Sequence, residues 1–315
     1  MENKKKAPRT EYLSMATIVI VIALVMVIIM IATSGKNEPS AASSSVESSA
    51  AESSVPEEST PDESSEAQKG TVYIEVKSAS RLTGPVAITR PGGPTNVDTS
   101  ELVSVYSKKN DTFGLSGSAL RLSEAAMNAF NDMTKAFTDI KGKTTLVMHK
   151  GYTPASELTA DDAEKQADLT TGSAVWLTLY PADRDGDTLG TGKFIWLVDN
   201  CNTYGFILRY PAEKSQYTGQ EGNYNLYRFV GYTHAAYIGK YHYSLEEYLN
   251  NLKQNASYEN PASFDAGMRT GDRPCILYYV AASDAETTQI PIPEGSSGYE
   301  VSGNGSDGFI VIVYQ

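Results

Sequence analysis

Met15 to Ala32 is an unbroken run of apolar and small residues in which Thr17 carries the only hydroxyl, close to the ~20 residues needed to cross a bilayer. It constrains the architecture more than any other feature, because whatever folds in water has to be built from the residues C-terminal to it. Lys4, Lys5, Lys6 and Arg9 precede the run and acidic residues lie beyond it. The positive-inside rule then predicts a cytoplasmic tail over 1–14, a transmembrane helix over 15–33 and an extracytoplasmic remainder, a single-pass protein of the cell membrane. A cleaved signal peptide is the competing reading, since Ala32-Thr33-Ser34 has the small residues of a cleavage site, but the apolar run exceeds the ~7 to 15 residues of a signal core. Residues 34–69 are built from Ser, Ala, Glu and Pro, as in Ser43-Ser44-Ser45 and Pro56-Glu57-Glu58. Such a composition cannot bury enough apolar surface to offset chain entropy, and it predicts a disordered, self-repelling tether.

Much of the formal net charge of −12 sits in that tether, where eight acids face two lysines. It argues against a nucleic-acid partner, whose phosphates require clustered Lys and Arg. Cys201 and Cys275 are the only cysteines; outside the cytoplasm they are either one bridge or two buried thiols, and no Cys-x-x-Cys spacing suggests metal or redox work.

From residue 70 onward the chain alternates ordered runs with turn chemistry. Val72, Ile74 and Val76 alternate with polar neighbours and predict a strand over 71–77. Ala126, Phe130, Met133, Phe137 and Ile140 recur at helical spacing and predict a buried helix face that ends at Lys141-Gly142. Strands are expected over 144–148, 172–180, 206–210 and 227–230, with a helix over 192–203 closed by Gly205. Ser244 and Glu247 have the spacing of a capping box and open a further helix through Leu249. Beyond it, 275–280, 299–302 and 309–313 are β-branched and aromatic runs separated by Pro and Gly, which predict an added hairpin or small sheet. The division expected is a core over 70–253 and a C-terminal β extension over 254–315.

The run from Tyr204 to Gly231, YGFILRYPAEKSQYTGQEGNYNLYRFVG, resembles without gaps a signature of the vancomycin-resistance-type zinc D-alanyl-D-alanine carboxypeptidases. Its second half in that family reads approximately T-G-x-x-x-E-P-W-H-x-R-Y-V-G, with Glu as catalytic base and His as zinc ligand. This chain keeps Thr218, Gly219, Arg228, Val230 and Gly231 but puts Asn223 at the Glu, Asn225 at the Trp and Leu226 at the His. The family's S-x-H-x-x-G-x-A-x-D motif falls on Ala167 to Trp176, with Gly172 and Ala174 in place, Leu169 at the His and Trp176 at the Asp. Its S-G-Y-R-S segment, whose Arg grips the substrate carboxylate, falls on Lys150 to Pro154 and puts Thr153 at the Arg. Zinc needs His nitrogen, carboxylate oxygen or thiolate sulfur, and three apolar residues supply none.

The resemblance implies an α+β fold of the Hedgehog/D-peptidase type, a small, mainly antiparallel sheet with packed helices. It implies a degenerate cleft at Thr153, Leu169, Trp176, Asn223, Asn225 and Leu226, with no catalytic or metal-ligating residue and no cofactor unless zinc finds other ligands. Tyr152, Arg209, Tyr210, Tyr224 and Arg228 are the residues expected to touch a ligand. Three functions stay open: a pseudoenzyme that binds a peptidoglycan stem peptide or a cell-wall protein, an active zinc D,D-carboxypeptidase, or an interaction protein with a closed cleft. Rescue ligands would have to come from His149, His234, His242, the cysteines or acids, and no histidine pair has a zinc-site spacing. Glu221 is the carboxylate nearest the vacated base position. Asp183 to Asp187 reads as a solvated turn rather than a calcium loop, and Ser123 and Ser173 lie outside any nucleophile motif.

Overall fold

The computed structural model describes residues 70–315 except 96, 184 and 266–272. The transmembrane helix and tether expected over 15–69 lie outside the described residues, and among those described no helix is long and apolar enough to cross a membrane. The strands are, in chain order, β1 (Thr71–Lys77), β2 (Val103–Ser104), β3 (Gly114–Leu115), β4 (Arg121–Leu122), β5 (Leu146–Lys150), β6 (Ala174–Leu179) and β7 (Phe206–Tyr210). They continue with β8 (Asn223–Phe229), β9 (Ala262–Asp265), β10 (Pro274–Ala281), β11 (Thr287–Pro293), β12 (Gly298–Gly303) and β13 (Gly308–Tyr314). The α-helices longer than four residues are α1 (Glu124–Lys141), α2 (Ile195–Asn200), α3 (Tyr232–Tyr241) and α4 (Leu245–Asn255).

Five strands form the central sheet in the order β3-β5-β6-β8-β7. Only the short β3 runs parallel to its neighbour; the other pairings are antiparallel. One face carries Val175, Leu177 and Tyr227 and packs on α1 through Met127, Phe130, Met133 and Phe137. The helix starts where Ser123 accepts the Ala126 N–H, and it stops at Gly142, whose φ of 79° suits glycine. Ile140, expected in this core, is instead 61% exposed, because it falls in the helix's last turn.

The opposite face is shared. Ile207 and Val230 join the inner sides of α3 and α4 and the C-terminal strands in one hydrophobic cluster that includes Leu245, Tyr248, Leu252, Leu277 and Ile310. The expected capping box forms at the head of α4: Ser244 Oγ accepts from Glu247 N–H at 3.2 Å, and the Glu247 carboxylate accepts from Ser244 N–H at 2.8 Å. The C-terminal strands make a four-stranded sheet, β12-β13-β10-β9, rather than a hairpin. Every residue of β13 is buried, as a strand covered on both faces requires. The first described strand also belongs here, since β1 pairs antiparallel along its whole length with β11, from Thr71↔Pro293 to Lys77↔Thr287.

Candidate functional site

Leu169, Ala174, Tyr210 and Leu226 are buried together in a small apolar cluster, with Trp176 packed against it. Two elements bring them there. The 3-10 turn Ala167–Thr171 ends at Gly172, whose φ of 68° favours glycine and where an added Cβ would lie 2.7 Å from the end of the Leu102 side chain. Strands β6 and β8 then place Trp176 directly opposite Leu226. Leu169 and Leu226, which belong to motifs well separated along the chain, thus meet with both side chains at 0% exposure. Thr153 closes one side, its N–H donating to the Leu169 carbonyl at 3.1 Å.

One residue before Leu169 the chain buries a charge. Asp168 is 0% exposed and accepts from Arg209 Nε at 2.7 Å and from Arg228 Nη1 at 2.5 Å. Arg209 also donates to Glu246 at 2.7 Å, while Arg228 reaches the Gly84 carbonyl and the Thr89 hydroxyl. Burial pushes the Asp168 carboxyl upward, but the guanidiniums of Arg228 and Arg209 more than offset it and hold the group below the ordinary carboxylate range. Arg209 and Arg228, expected as ligand contacts, are 2% and 1% exposed and spend their charge on Asp168. A faint sign of this is present in the sequence, since an arginine inside an otherwise apolar strand such as FILRY needs a buried acid.

Beside the apolar cluster lies a cleft of ≈ 530 Å³ whose wall includes Tyr210, Asn223, Tyr224, Asn225, Glu221 and Lys165. Its two asparagines shape the end of β8. Asn223 Oδ1 accepts from Asn225 N–H at 2.8 Å, and Asn225 Nδ2 donates to the Leu177 carbonyl at 2.8 Å, just past the last β6–β8 partners. Tyr224 lies close over Gly190, where an added Cβ would sit 2.7 Å from its ring. Burial raises the Tyr210 phenol to about 12, so it stays a hydrogen-bond donor at neutral pH. Tyr152 and Thr153 are not among the cleft's lining residues.

The rescue ligands do not gather here. His234 is buried, with Nδ1 2.6 Å from the Tyr248 hydroxyl, and burial lowers it to about 3. Asp183 pairs with Lys193, and Asp187 accepts from the Lys193 N–H, so the acidic turn is internally occupied. Cys201 and Cys275 are free and buried in different hydrophobic clusters, with thiols raised by burial to about 12 and 11. Ser123 and Ser173 face each other at 3.4 Å. Among the described residues no group of three or more His, Cys, Asp and Glu is placed to hold a metal.

No family model matches the chain. A D-alanyl-D-alanine carboxypeptidase of Enterococcus faecium is 27% identical over 213 residues, 64% of each chain. A second, from Enterococcus faecalis, is 41% identical over 64 residues, 20% of this chain and 24% of its own. The chain thus spans less than two thirds of the curated relatives it matches. In structure, the vancomycin-resistance D,D-dipeptidase VanXYg, solved with a D-Ala-D-Ala phosphinate analogue, superimposes with a TM-score of 0.63 at 24% identity, covering 78% of this chain and all of its own. A mutant of the D,D-pentapeptidase VanY, solved in complex with Zn(II), is 22% identical over 53% of this chain, with a TM-score of 0.39. The expectation of no cofactor is corrected by a metal recorded among these neighbours, the Zn(II) with which the VanY mutant was solved. Leu169, Trp176 and Leu226 carry no lone pair toward a cation, so the residues at this point do not fit the ion. In sequence the chain is thus similar to D-alanyl-D-alanine carboxypeptidases of Enterococcus, and its α+β fold is that of the vancomycin-resistance D,D-dipeptidase VanXYg.

Proposed function

We propose that this chain is an extracytoplasmic, membrane-anchored carboxypeptidase-like protein that binds the peptide stems of the cell wall without hydrolysing them. One observation carries the reading. Leu169, Trp176 and Leu226, which stand at the three ligand positions of the family motifs, converge in a single apolar cluster, and a pocket of that kind cannot make a bound water nucleophilic. The base position is likewise occupied by Asn223, whose side chain bonds the Asn225 N–H and cannot take up a proton at neutral pH.

What persists is a cleft with the means to bind. Tyr224 offers a partly exposed ring with a polar tip, Asn223 and Asn225 offer amide edges, and Lys165 offers a cation to a peptide carboxylate. The apolar run at 15–33 and the tether at 34–69 would hold this cleft outside the membrane and at a distance from it. Calorimetry of the full chain with a pentapeptide ending in D-Ala-D-Ala tests the reading, paired with an assay for free D-alanine in the presence of added zinc. Saturable binding, weakened at least about tenfold by Tyr224→Ala and accompanied by no D-alanine, supports it. Zinc-dependent release of D-alanine overturns it in favour of an active enzyme. Absence of any peptide binding overturns it in favour of a closed cleft.

A further inference from the structure

The outward side of α4 and the turn Ser215–Thr218 enclose a second hollow, of ≈ 450 Å³, which shares no lining residue with the peptide cleft. Tyr217 and Tyr243, with four amides, Gln216, Asn250, Asn251 and Gln254, make most of its wall. The rest is Glu246 and Glu247, so among the described residues neither an aliphatic side chain nor a cation lines it. Both carboxylates already have their counter-charge, Glu246 from Arg209 at 2.7 Å and Glu247 from Lys214 at 2.8 Å. The wall is therefore electrically balanced. The cation nearest an incoming anion, Lys214, is already paired with Glu247 and lies 5.6 Å from the Tyr217 ring centroid; an amine finds no free acid, and a lipid or apolar peptide finds no aliphatic surface.

A neutral ligand dense in hydroxyls and amides remains. Tyr217 is 50% exposed, and Tyr243 is stacked on the partly exposed Tyr241 with ring centroids 5.7 Å apart and planes 23° from parallel. Such rings present an apolar face with a polar rim, which is what the C–H face and hydroxyl edge of a pyranose present in return. Primary amides donate and accept at once, matching both sugar hydroxyls and an acetamido group. We propose that this hollow is a binding subsite for an uncharged, N-acetylated saccharide chain, held by the tyrosine rings and the amide side chains of its wall. The assignment stands on this wall alone and is independent of the peptide reading.

The test titrates the full chain with the tetramer of N-acetylglucosamine by calorimetry. Saturable binding is expected, with affinity reduced at least about tenfold by Tyr217→Ala and by the double change Asn250→Ala and Gln254→Ala. Tyr217→Phe keeps the ring and should stay within about threefold of the parent, as should Tyr73→Ala on an exposed tyrosine of β1. Cellotetraose, which lacks the acetamido groups, should bind about tenfold more weakly. No saturable heat with the N-acetylated tetramer, an affinity indifferent to Tyr217→Ala, equal binding of cellotetraose, or displacement of the tetramer by a free stem pentapeptide would each overturn the assignment. Because the peptide cleft is titrated separately, loss of one activity leaves the other measurable.

Discussion

Asp168 and Leu169 are consecutive residues of one 3-10 turn, both at 0% exposure, and they solve burial in opposite ways. Asp168 enters a network of charges in which two guanidiniums and a second carboxylate balance one another. Leu169 enters a cluster where Leu226 and Trp176 leave nothing polar to balance. A carboxylate in the second environment would be an unpaired buried charge, which costs far more than a leucine there; a leucine in the first would strand two arginines. The contrast teaches that one turn can bury a charge and an apolar side chain next to each other when each meets a matching environment. The charge that persists next door holds elements together: Asp168 and Arg228 tie the 3-10 turn to β8 and the Gly84–Thr89 segment, and Arg209 ties both to α4.

The largest expected effect arises from that difference. Asp168→Ala removes the carboxylate that Arg209 and Arg228 share, leaving Arg228 at 1% exposure without that acid and Arg209 with Glu246 alone, so denaturant unfolding should show a loss of about 3–5 kcal/mol. A change below about 1 kcal/mol would mean that water reaches the arginines and that the network is not a buried one. Leu226→Ala probes the apolar side. It should cost about 2–4 kcal/mol through lost contacts and a cavity. Replacing all three residues, Leu169→His with Trp176→Asp and Leu226→His, should create zinc binding in the full chain where the parent shows none at these positions. If the triple change gains no zinc, the three positions do not converge on one coordination point and the motif placement fails.

A third treatment of burial appears at His234, which stays neutral. Its folded value, about 3, lies below the ordinary 6.5, so between these two the unfolded chain binds a proton that the folded chain refuses. Stability should therefore rise with pH across that window and fall on acidification at up to about 1.4 kcal/mol per pH unit. Asp168 acts in the same direction at lower pH: its stabilisation is present above the ordinary carboxylate value near ~3.9 and is lost as pH falls through its lowered folded value. Urea midpoints taken from pH 7 to pH 4 test this, and His234→Gln should flatten the profile. An unchanged slope in that variant would assign the acid sensitivity to other groups.

Local features were legible in the sequence because their causes are local. The α1 stripe, the Ser244–Glu247 box and the Gly205 stop each come from spacing within a few residues, and each is found. Motif offsets single out Leu169, Trp176 and Leu226, and the fold packs them together, although nothing in their spacing says that they touch. Two features were not legible. The pairing of β1 with β11 joins residues near the two ends of the described chain, and an alternating strand carries no address for its partner. Asp168 was missed because a single acid beside a motif looks like a surface residue; only the fold brings Arg209 and Arg228 to it.

The smallest effect is expected at the residue that belongs to both regions. Tyr210 packs in the apolar cluster with Leu169 and Leu226, yet the Arg209 guanidinium lies 4.5 Å from its ring centroid and its hydroxyl reaches the Glu164 carbonyl at 3.4 Å. Tyr210→Phe keeps the ring under the cation and removes only a long hydrogen bond, so about 0.5 kcal/mol is expected. Tyr210→Leu keeps the apolar packing but forfeits the ring under Arg209 as well, and about 1–2 kcal/mol is expected. The difference between the two variants measures how strongly the charged network leans on the apolar cluster. Equal losses would mean that the two regions are independent neighbours, and a loss confined to Tyr210→Leu would mean that the aromatic face, rather than the hydroxyl, joins them.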